Sequence, residues 1–134
     1  MAIKGIDHWV IVAGDLDRTL AFYEKLGFTI AWERREGRPS MATIRVNDAQ
    51  KINVHGPDAP ARPAYLGARR PTIGGADFCL EWEGNVDEVL ALLEKNGVRL
   101  EAGPGPRTCA RGTSTSVYFR DPDDNLVEFT VYGK

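Results

Sequence analysis

Two stretches of the chain carry apolar side chains at the three- and four-residue spacing of an amphipathic helix. They cover residues 16–23 and 86–93, where leucine, valine and tyrosine recur on one face. Each stretch follows a residue that commonly caps a helix and precedes a glycine suited to ending one. These pairs are Asp15 with Gly27, and Asn85 with Gly97. The pattern predicts one helix in each half of the chain.

Apolar and alternating runs, separated by turn residues, predict strands around both helices. In the first half they are Ile6–Val12, Phe28–Arg34, Ala42–Val46 and Lys51–His55, with a turn at Glu36-Gly37. In the second half they are Asp77–Trp82, Arg99–Glu101, Thr115–Phe119 and Leu126–Tyr132. The first strand is apolar on both faces over residues 9–12, which favours a central position in its sheet.

The two halves also repeat each other in sequence. At a constant offset of 70, Asp17, Leu20, Ala21, Glu24, Lys25 and Gly27 recur as Asp87, Leu90, Ala91, Glu94, Lys95 and Gly97. Two copies are too few for a solenoid, so we predict a duplicated βαβββ half-domain in an α+β fold. The single predicted domain comprises a first module at 1–56, a proline-rich linker at 57–75 and a second module at 76–134.

Strand periodicity places metal-binding residue types on polar faces. His55 alternates with Ile52 and Val54, Glu128 alternates with apolar neighbours, and His8 lies at the start of the first strand. Two histidines and a carboxylate can hold Zn, Fe, Ni or Mn and leave positions open for water or substrate. Taken singly, each residue also fits a solvated or structural side chain, so the pattern alone leaves both interpretations open.

Composition narrows the range of functions. The 134 residues carry a net charge of -2, which supplies no broad basic surface for a nucleic acid. No apolar run approaches the ~20 residues of a membrane span, and the start does not resemble a signal peptide. We therefore expect a cytoplasmic protein with reduced thiols. Cys79 is expected to pack as a small hydrophobe and Cys109 to lie in a flexible loop, so neither is predicted to be catalytic.

A Gly- and Pro-rich stretch, Gly103–Gly112, precedes the penultimate predicted strand. Long irregular loops in compact domains are often functional, so we expect a mobile lid here, with a solvated loop as the alternative. Guanidinium groups bind carboxylate or phosphate bidentately, which would suit an anionic substrate. The predicted substrate-binding residues are Arg107, Thr108, Arg111 and Tyr118.

Three segments form a specific combination of motifs. They are Asp7-His8-Trp9-Val10-Ile11-Val12, Phe22-Tyr23-Glu24-Lys25-Leu26-Gly27-Phe28 and Asp121-Pro122-Asp123-Asp124-Asn125-Leu126-Val127-Glu128-Phe129. Together with the duplication, they resemble the vicinal oxygen chelate superfamily, which includes glyoxalase I, bleomycin-binding proteins and extradiol dioxygenases. The resemblance covers nearly the whole chain and implies a curled, cup-shaped mixed sheet with the helices on its outside.

The resemblance also implies a ligand set and an activity. His8, His55 and Glu128 would hold a divalent ion (Zn, Ni, Mn or Fe(II)), with Glu128 as the catalytic carboxylate and Asp77 as a possible fourth ligand. The implied enzyme is a glyoxalase-like lyase or a dioxygenase that chelates a small, oxygen-bearing, anionic substrate. A metal-free binding protein of the bleomycin-resistance type is the alternative.

The partners follow from the same resemblance. Small members of the superfamily pair as dimers, so a homodimer is expected. Glutathione would be a cofactor only for the glyoxalase branch, and nothing in the sequence supports a site for it.

Overall fold

The computed structural model describes residues 2–33 and 41–133. The chain forms two compact units, Met1–Gly75 and Ala76–Lys134. The first contains β1 (His8–Val12), α1 (Leu16–Lys25), β2 (Thr29–Glu33), β3 (Met41–Arg45), β4 (Lys51–His55) and a 3-10 helix (Ala59–Ala61) in the proline-rich segment. The second contains β5 (Asp77–Glu81), α2 (Val86–Lys95), β6 (Leu100–Cys109), β7 (Gly112–Arg120) and β8 (Leu126–Val131). The predicted α+β class with two βαβββ modules is confirmed; Arg34 and the turn at Glu36-Gly37 lie outside the described residues.

The two units share one sheet topology. Their described strands form two four-stranded sheets, ordered β1-β4-β3-β2 and β5-β8-β7-β6. In each unit the first and last strands pair in parallel and the remaining pairs are antiparallel. The prediction of a central first strand is wrong, because β1 lies at one end of its sheet and Val10 is 44% exposed. The face of β1 that carries Ile11 is buried, whereas the face that carries Val10 is exposed. The continuous apolar run therefore does not mean that both faces of this strand are buried.

Both helices agree with the sequence pattern. Asp15 caps α1 by accepting one hydrogen bond from a backbone N–H. α2 has a full capping box, in which Asn85 accepts from the backbone of Glu88 at 3.0 Å and Glu88 accepts from the backbone of Asn85 at 2.7 Å. None of the described helices combines the length and apolar character needed to cross a membrane.

The helix of each unit covers one face of its sheet. α1 packs against β2 and β3, and α2 packs against β7. The buried strand residues of these faces are Ile11, Ala42, Ile44, Ile52 and Val54 in the first unit, and Leu80, Val117, Phe119, Val127, Phe129 and Val131 in the second. Since side chains alternate along a strand, the registers place His8 and His55 on the opposite face of the first sheet and Glu128 on the opposite face of the second.

The predicted lid is part of a β-hairpin. β6 runs through the Gly- and Pro-rich stretch and pairs with β7, with register shifts between Leu100 and Gly105. β6 is the terminal strand of its sheet, where a missing proline N–H costs no ladder bond, so the prolines did not prevent strand formation. The prolines and glycines predicted a loop because these residues occur mostly in loops. Whether such a segment forms an edge strand depends on tertiary pairing, which the local sequence does not show.

A buried polar turn leads into β8. Asp121 Oδ1 accepts hydrogen bonds from the backbone N–H of Asp123 and Asn125, and its Oδ2 accepts from Asn125 Nδ2 at 2.8 Å. Asn125 Oδ1 in turn accepts from the backbone N–H of Ala76 at 2.9 Å. The turn therefore ties the start of β8, which carries Glu128, to the residue that precedes β5.

Candidate metal centre

Glu128 lies among polar side chains on the face of the second sheet that α2 does not cover. We call this surface the Glu128 face; its members are Asp77, Cys79 and Glu81 on β5, Glu128 and Thr130 on β8, and Ser114, Ser116 and Tyr118 on β7. Glu128 is opposite Cys79 on one side and opposite Tyr118 on the other. Because the carboxylate is only half-buried, it can bind a ligand without losing all contact with solvent.

The two thiols meet at this carboxylate. Cys109, at the end of β6, lies with its Sγ 3.9 Å from Glu128 Oε2. The Sγ atoms of Cys79 and Cys109 and a carboxylate oxygen of Glu128 all lie within 4.8 Å of one another. Among the described residues, these three form the group of histidine, cysteine and acidic side chains that is compact enough to hold a metal ion.

The expectations for both cysteines were wrong. Cys79 is exposed on the Glu128 face instead of packed in the core, because its strand register pairs it with Glu128. Desolvation of the thiol, followed by the nearby Glu128 carboxylate, raises the pKa of Cys79 to about 12. Cys109 lies at a strand end instead of in a loop. Without a bound metal Cys79 is thus a neutral thiol, not a thiolate nucleophile.

Hydroxyl groups continue the polar surface beyond the thiols. Thr130 Oγ1 lies 3.7 Å from Cys109 Sγ and accepts a hydrogen bond from Ser116 Oγ at 2.7 Å. Ser114 Oγ lies 2.5 Å from the same Thr130 oxygen, and all three hydroxyl residues are buried. These bonds hold the hydroxyl groups in fixed positions next to Cys109.

Two predicted substrate residues lie on the same side of the sheet. Arg107 Nε donates to Tyr118 Oη at 2.9 Å, and the guanidinium lies over the Tyr118 ring. Burial raises the pKa of Tyr118, and the Glu128 carboxylate adds to the rise against the opposing effect of Arg107. The phenol therefore keeps its proton and can donate a hydrogen bond toward Glu128.

The other predicted substrate residues are placed differently. Arg111 forms a bidentate ion pair with Glu81, at 2.8 and 2.9 Å, and lies over the Tyr132 ring. Thr108 pairs with Thr113, and the register puts both on the face opposite Glu128. Thr108 therefore does not lie on the Glu128 face. The guanidinium of Arg111 is already paired with the Glu81 carboxylate of the same chain.

In the first unit, His8 has a carboxylate partner. Its Nδ1 lies 2.6 Å from Asp7 Oδ1, and this hydrogen bond lowers the pKa of Asp7. A histidine that ligates a metal ordinarily donates its other ring N–H to such a carboxylate, which fixes the tautomer. With Nδ1 occupied by Asp7, the Nε2 of His8 is the nitrogen available to a ligand.

His55 has a different environment. Desolvation, with a smaller contribution from the Arg62 guanidinium, lowers the pKa of His55, and its ring packs edge-on against Tyr65. Arg62 itself has buried Nε and Nη2 atoms without a hydrogen-bond partner among the described residues. Buried guanidinium nitrogens without a hydrogen-bond partner are costly, so Arg62 and His55 are a candidate site for an anionic group.

The two histidines lie at opposite ends of the β1–β4 pair. His8 is opposite Lys51, and His55 is opposite Val12. Four residue positions of strand correspond to about 13 Å, whereas two nitrogens bound to one zinc ion lie within about 4 Å of each other. Asn53, between them on the same face, is buried and is the first unit's counterpart of Glu128 by register.

No ligand-binding role was predicted from the sequence for Arg62, for Asn53 or for the pair of thiols. Asn53 alternates with Ile52 and Val54, which was a detectable signal for a polar face residue. Cys79 and Cys109 are 30 residues apart and match no metal-binding spacing, so only the fold brings them together.

Comparison with known proteins decides the family. The profile of the glyoxalase/bleomycin resistance protein/dioxygenase superfamily matches residues 5–129. The chain belongs to this superfamily. It is 37% identical to the virulence protein STM3117 of Salmonella typhimurium over 133 residues, which is 98% of this chain and 87% of the relative.

Solved structures share the fold of this chain. An integron cassette protein from V. cholerae is 33% identical, with a TM-score of 0.87 and coverage of 99% of this chain and 98% of the other. A lactoylglutathione lyase from Agrobacterium tumefaciens has a TM-score of 0.74 at 24% identity, with 98% and 96% of the two chains covered. At that identity the lyase shows a shared fold.

Proposed function

We propose that the protein is a divalent-metal-dependent enzyme of the glyoxalase or dioxygenase type, acting on a small, oxygen-bearing, anionic substrate. The observation that carries the proposal is the half-buried Glu128 carboxylate, which shares with Asp77 and Tyr118 a sheet face that α2 leaves uncovered. The superfamily membership supports it, because that family contains dioxygenases and glyoxalases.

The donor chemistry of the chain fits such an ion. His8, His55 and Glu128 are the proposed ligand set, with Asp77, which shares the Glu128 face, as the fourth. Because the registers separate the two histidines by about 13 Å along the strands, one of them at most binds the same ion as Glu128. The lowered pKa of His55 favours the neutral imidazole that binds metals, and Asp7 leaves Nε2 of His8 available. When bound, a divalent ion polarises substrate oxygens as a Lewis acid.

Residues of the chain would bind and orient the substrate. Arg62, with its unpartnered Nε and Nη2 atoms, would pair with a carboxylate or phosphate of the substrate near His55. Tyr118, held by Arg107, would donate a hydrogen bond from its neutral phenol to a substrate oxygen. Because Arg111 is paired with Glu81, we assign it to stabilising the hairpin and not to the substrate.

Elemental analysis of protein purified without a histidine tag tests the proposal. Wild type should contain near-stoichiometric metal, and either His8→Ala or His55→Ala should lose it. Because the two histidines lie far apart along the strands, the variants are measured separately. Loss in only one variant would remove the other histidine from the ligand set.

Wild-type protein that stays metal-free after incubation with Ni, Zn, Mn and Fe(II) would refute the metal-dependent function. That result would favour the metal-free binding protein of the bleomycin-resistance type, whose ligand could then be sought directly. Turnover of the methylglyoxal–glutathione adduct by the metal-loaded protein would identify the glyoxalase branch.

A further inference from the structure

The thiols of the chain converge at one carboxylate, although the function proposed above uses neither of them. Cys79 comes from β5, Cys109 from the end of β6 and Glu128 from β8, so three separate strands supply the three groups. Their donor atoms lie within 4.8 Å of one another, with Cys109 Sγ 3.9 Å from Glu128 Oε2. This placement does not depend on either histidine.

The separations are close to those of a bound ion. Zinc binds sulfur at about 2.3 Å and carboxylate oxygen at about 2.0–2.2 Å, so donors around a tetrahedral ion lie about 3.5–3.8 Å apart. The observed donors need to approach one another by about 1 Å at most to reach that spacing. Rotation of exposed or half-buried side chains supplies such movement without rearranging the strands.

The donor types select the metal. Thiolates are soft ligands that favour zinc, cadmium and cuprous ions over magnesium or calcium. We propose that Cys79, Cys109 and Glu128 form a binding site for a thiophilic metal ion, with zinc as the principal candidate. Binding displaces the protons of both thiols, and the two thiolates and the carboxylate then supply three negative charges, one more than the divalent ion needs.

The site has the composition of an open centre. Three protein ligands leave one tetrahedral position for water or for a substrate atom, as in catalytic zinc sites, whereas structural sites are closed by four. The hydroxyl of Thr130 lies 3.7 Å from Cys109 Sγ, and by turning its proton from the Thr115 carbonyl to the sulfur it would supply an outer hydrogen bond to a thiolate ligand. Glu128 is shared with the ligand set proposed above, but the thiols replace the histidines.

Cobalt titration of the reduced, full-length protein tests this site, because only thiolate ligands produce sulfur-to-cobalt charge-transfer bands. The bands should appear in wild type and be lost in Cys79→Ser with Cys109→Ser. Ser116→Ala, a change on the same face that removes no proposed ligand, should keep them. A combined His8→Ala and His55→Ala variant should keep them too.

The variants separate this inference from the histidine ligand set. Charge-transfer bands that survive the histidine changes support the thiol site even if the histidine set fails. Cobalt that binds without such bands, or bands that persist in the cysteine variant, would overturn the inference and leave the histidine set standing.

A measurement on wild type alone guards against variants that do not fold. Zinc added at equimolar concentration should protect both thiols from Ellman's reagent, and a chelator should restore their reactivity. Thiols that react equally fast with and without zinc would contradict the proposed site.

Discussion

At the scale of single residues, the chemistry of the protein depends on which strand face a side chain occupies. His55 and Glu128 could be placed on polar faces from sequence because they alternate with apolar neighbours, whereas His8 could be placed only at the start of its strand. Cys79 alternates in the same way, but thiols are usually buried, so its type argued against the face that its position indicated. For Cys79, its position in the strand pattern indicated the correct face, and its residue type indicated the wrong one.

The environment of His55 predicts a pH effect on stability. Its pKa in the folded protein lies below the reference value of 6.5, so the unfolded chain binds the proton more readily. The resulting loss of stability is absent well above that reference value and grows as the pH falls through it toward the folded pKa. Between about pH 7 and pH 5, wild type should therefore lose more unfolding free energy than His55→Gln.

Denaturant unfolding at several pH values measures this difference. Arg62 is the charged group that contributes to the shift, so Arg62→Gln should reduce the effect while His55 remains in place. Parallel stability profiles for wild type and His55→Gln would show that His55 titrates normally in the folded protein.

At the scale of elements, helices and most strands were predictable, and the β6–β7 hairpin was not. Both helices are recognisable from the 3.6-residue period of their apolar residues and from their capping residues, which are local signals in the sequence. β6 contains two glycines and two prolines in four consecutive residues, and its strand conformation depends on pairing with β7. Cys109 reaches Glu128 from this strand, so the same failure concealed part of the candidate site.

The hairpin supplies a matched pair of glycine substitutions. Gly103 has a φ of 90°, and a Cβ there would lie 2.5 Å from the backbone oxygen of Ser116. Gly103→Ala should therefore reduce the unfolding free energy by at least about 2 kcal/mol. Gly105→Ala meets only the end of Arg107 at 4.0 Å and should change it by less than about 1 kcal/mol, in either direction.

Chemical denaturation of both variants checks this expectation. Equal stabilities would mean that the backbone around Gly103 relaxes freely and that β6 does not pack closely on Ser116.

At the scale of the whole molecule, a duplicated topology carries two different sets of side chains. The strand registers show that His8 of the first unit occupies the position of Asp77 in the second unit. In the same way, Asn53 occupies the position of Glu128. The 70-residue repeat predicted this duplication, since it preserves helix and cap residues. It did not predict which residues occupy the faces that the helices leave uncovered, because the repeated residues lie in the helices and at their ends. The homodimer stays a prediction from family resemblance.

The central claim is that Glu128 holds a metal ion, and zinc affinity measured by competition with a chromophoric chelator tests it most directly. Losing an outer-shell partner already weakens metal binding 10- to 100-fold, so Glu128→Gln should raise the dissociation constant by at least about tenfold. Glu81→Gln is the control, because Glu81 shares the Glu128 face but is paired with Arg111. Wild-type affinity in the Glu81 variant and weakened binding in the Glu128 variant are predicted. Equal zinc affinities for Glu128→Gln and wild type would contradict the account.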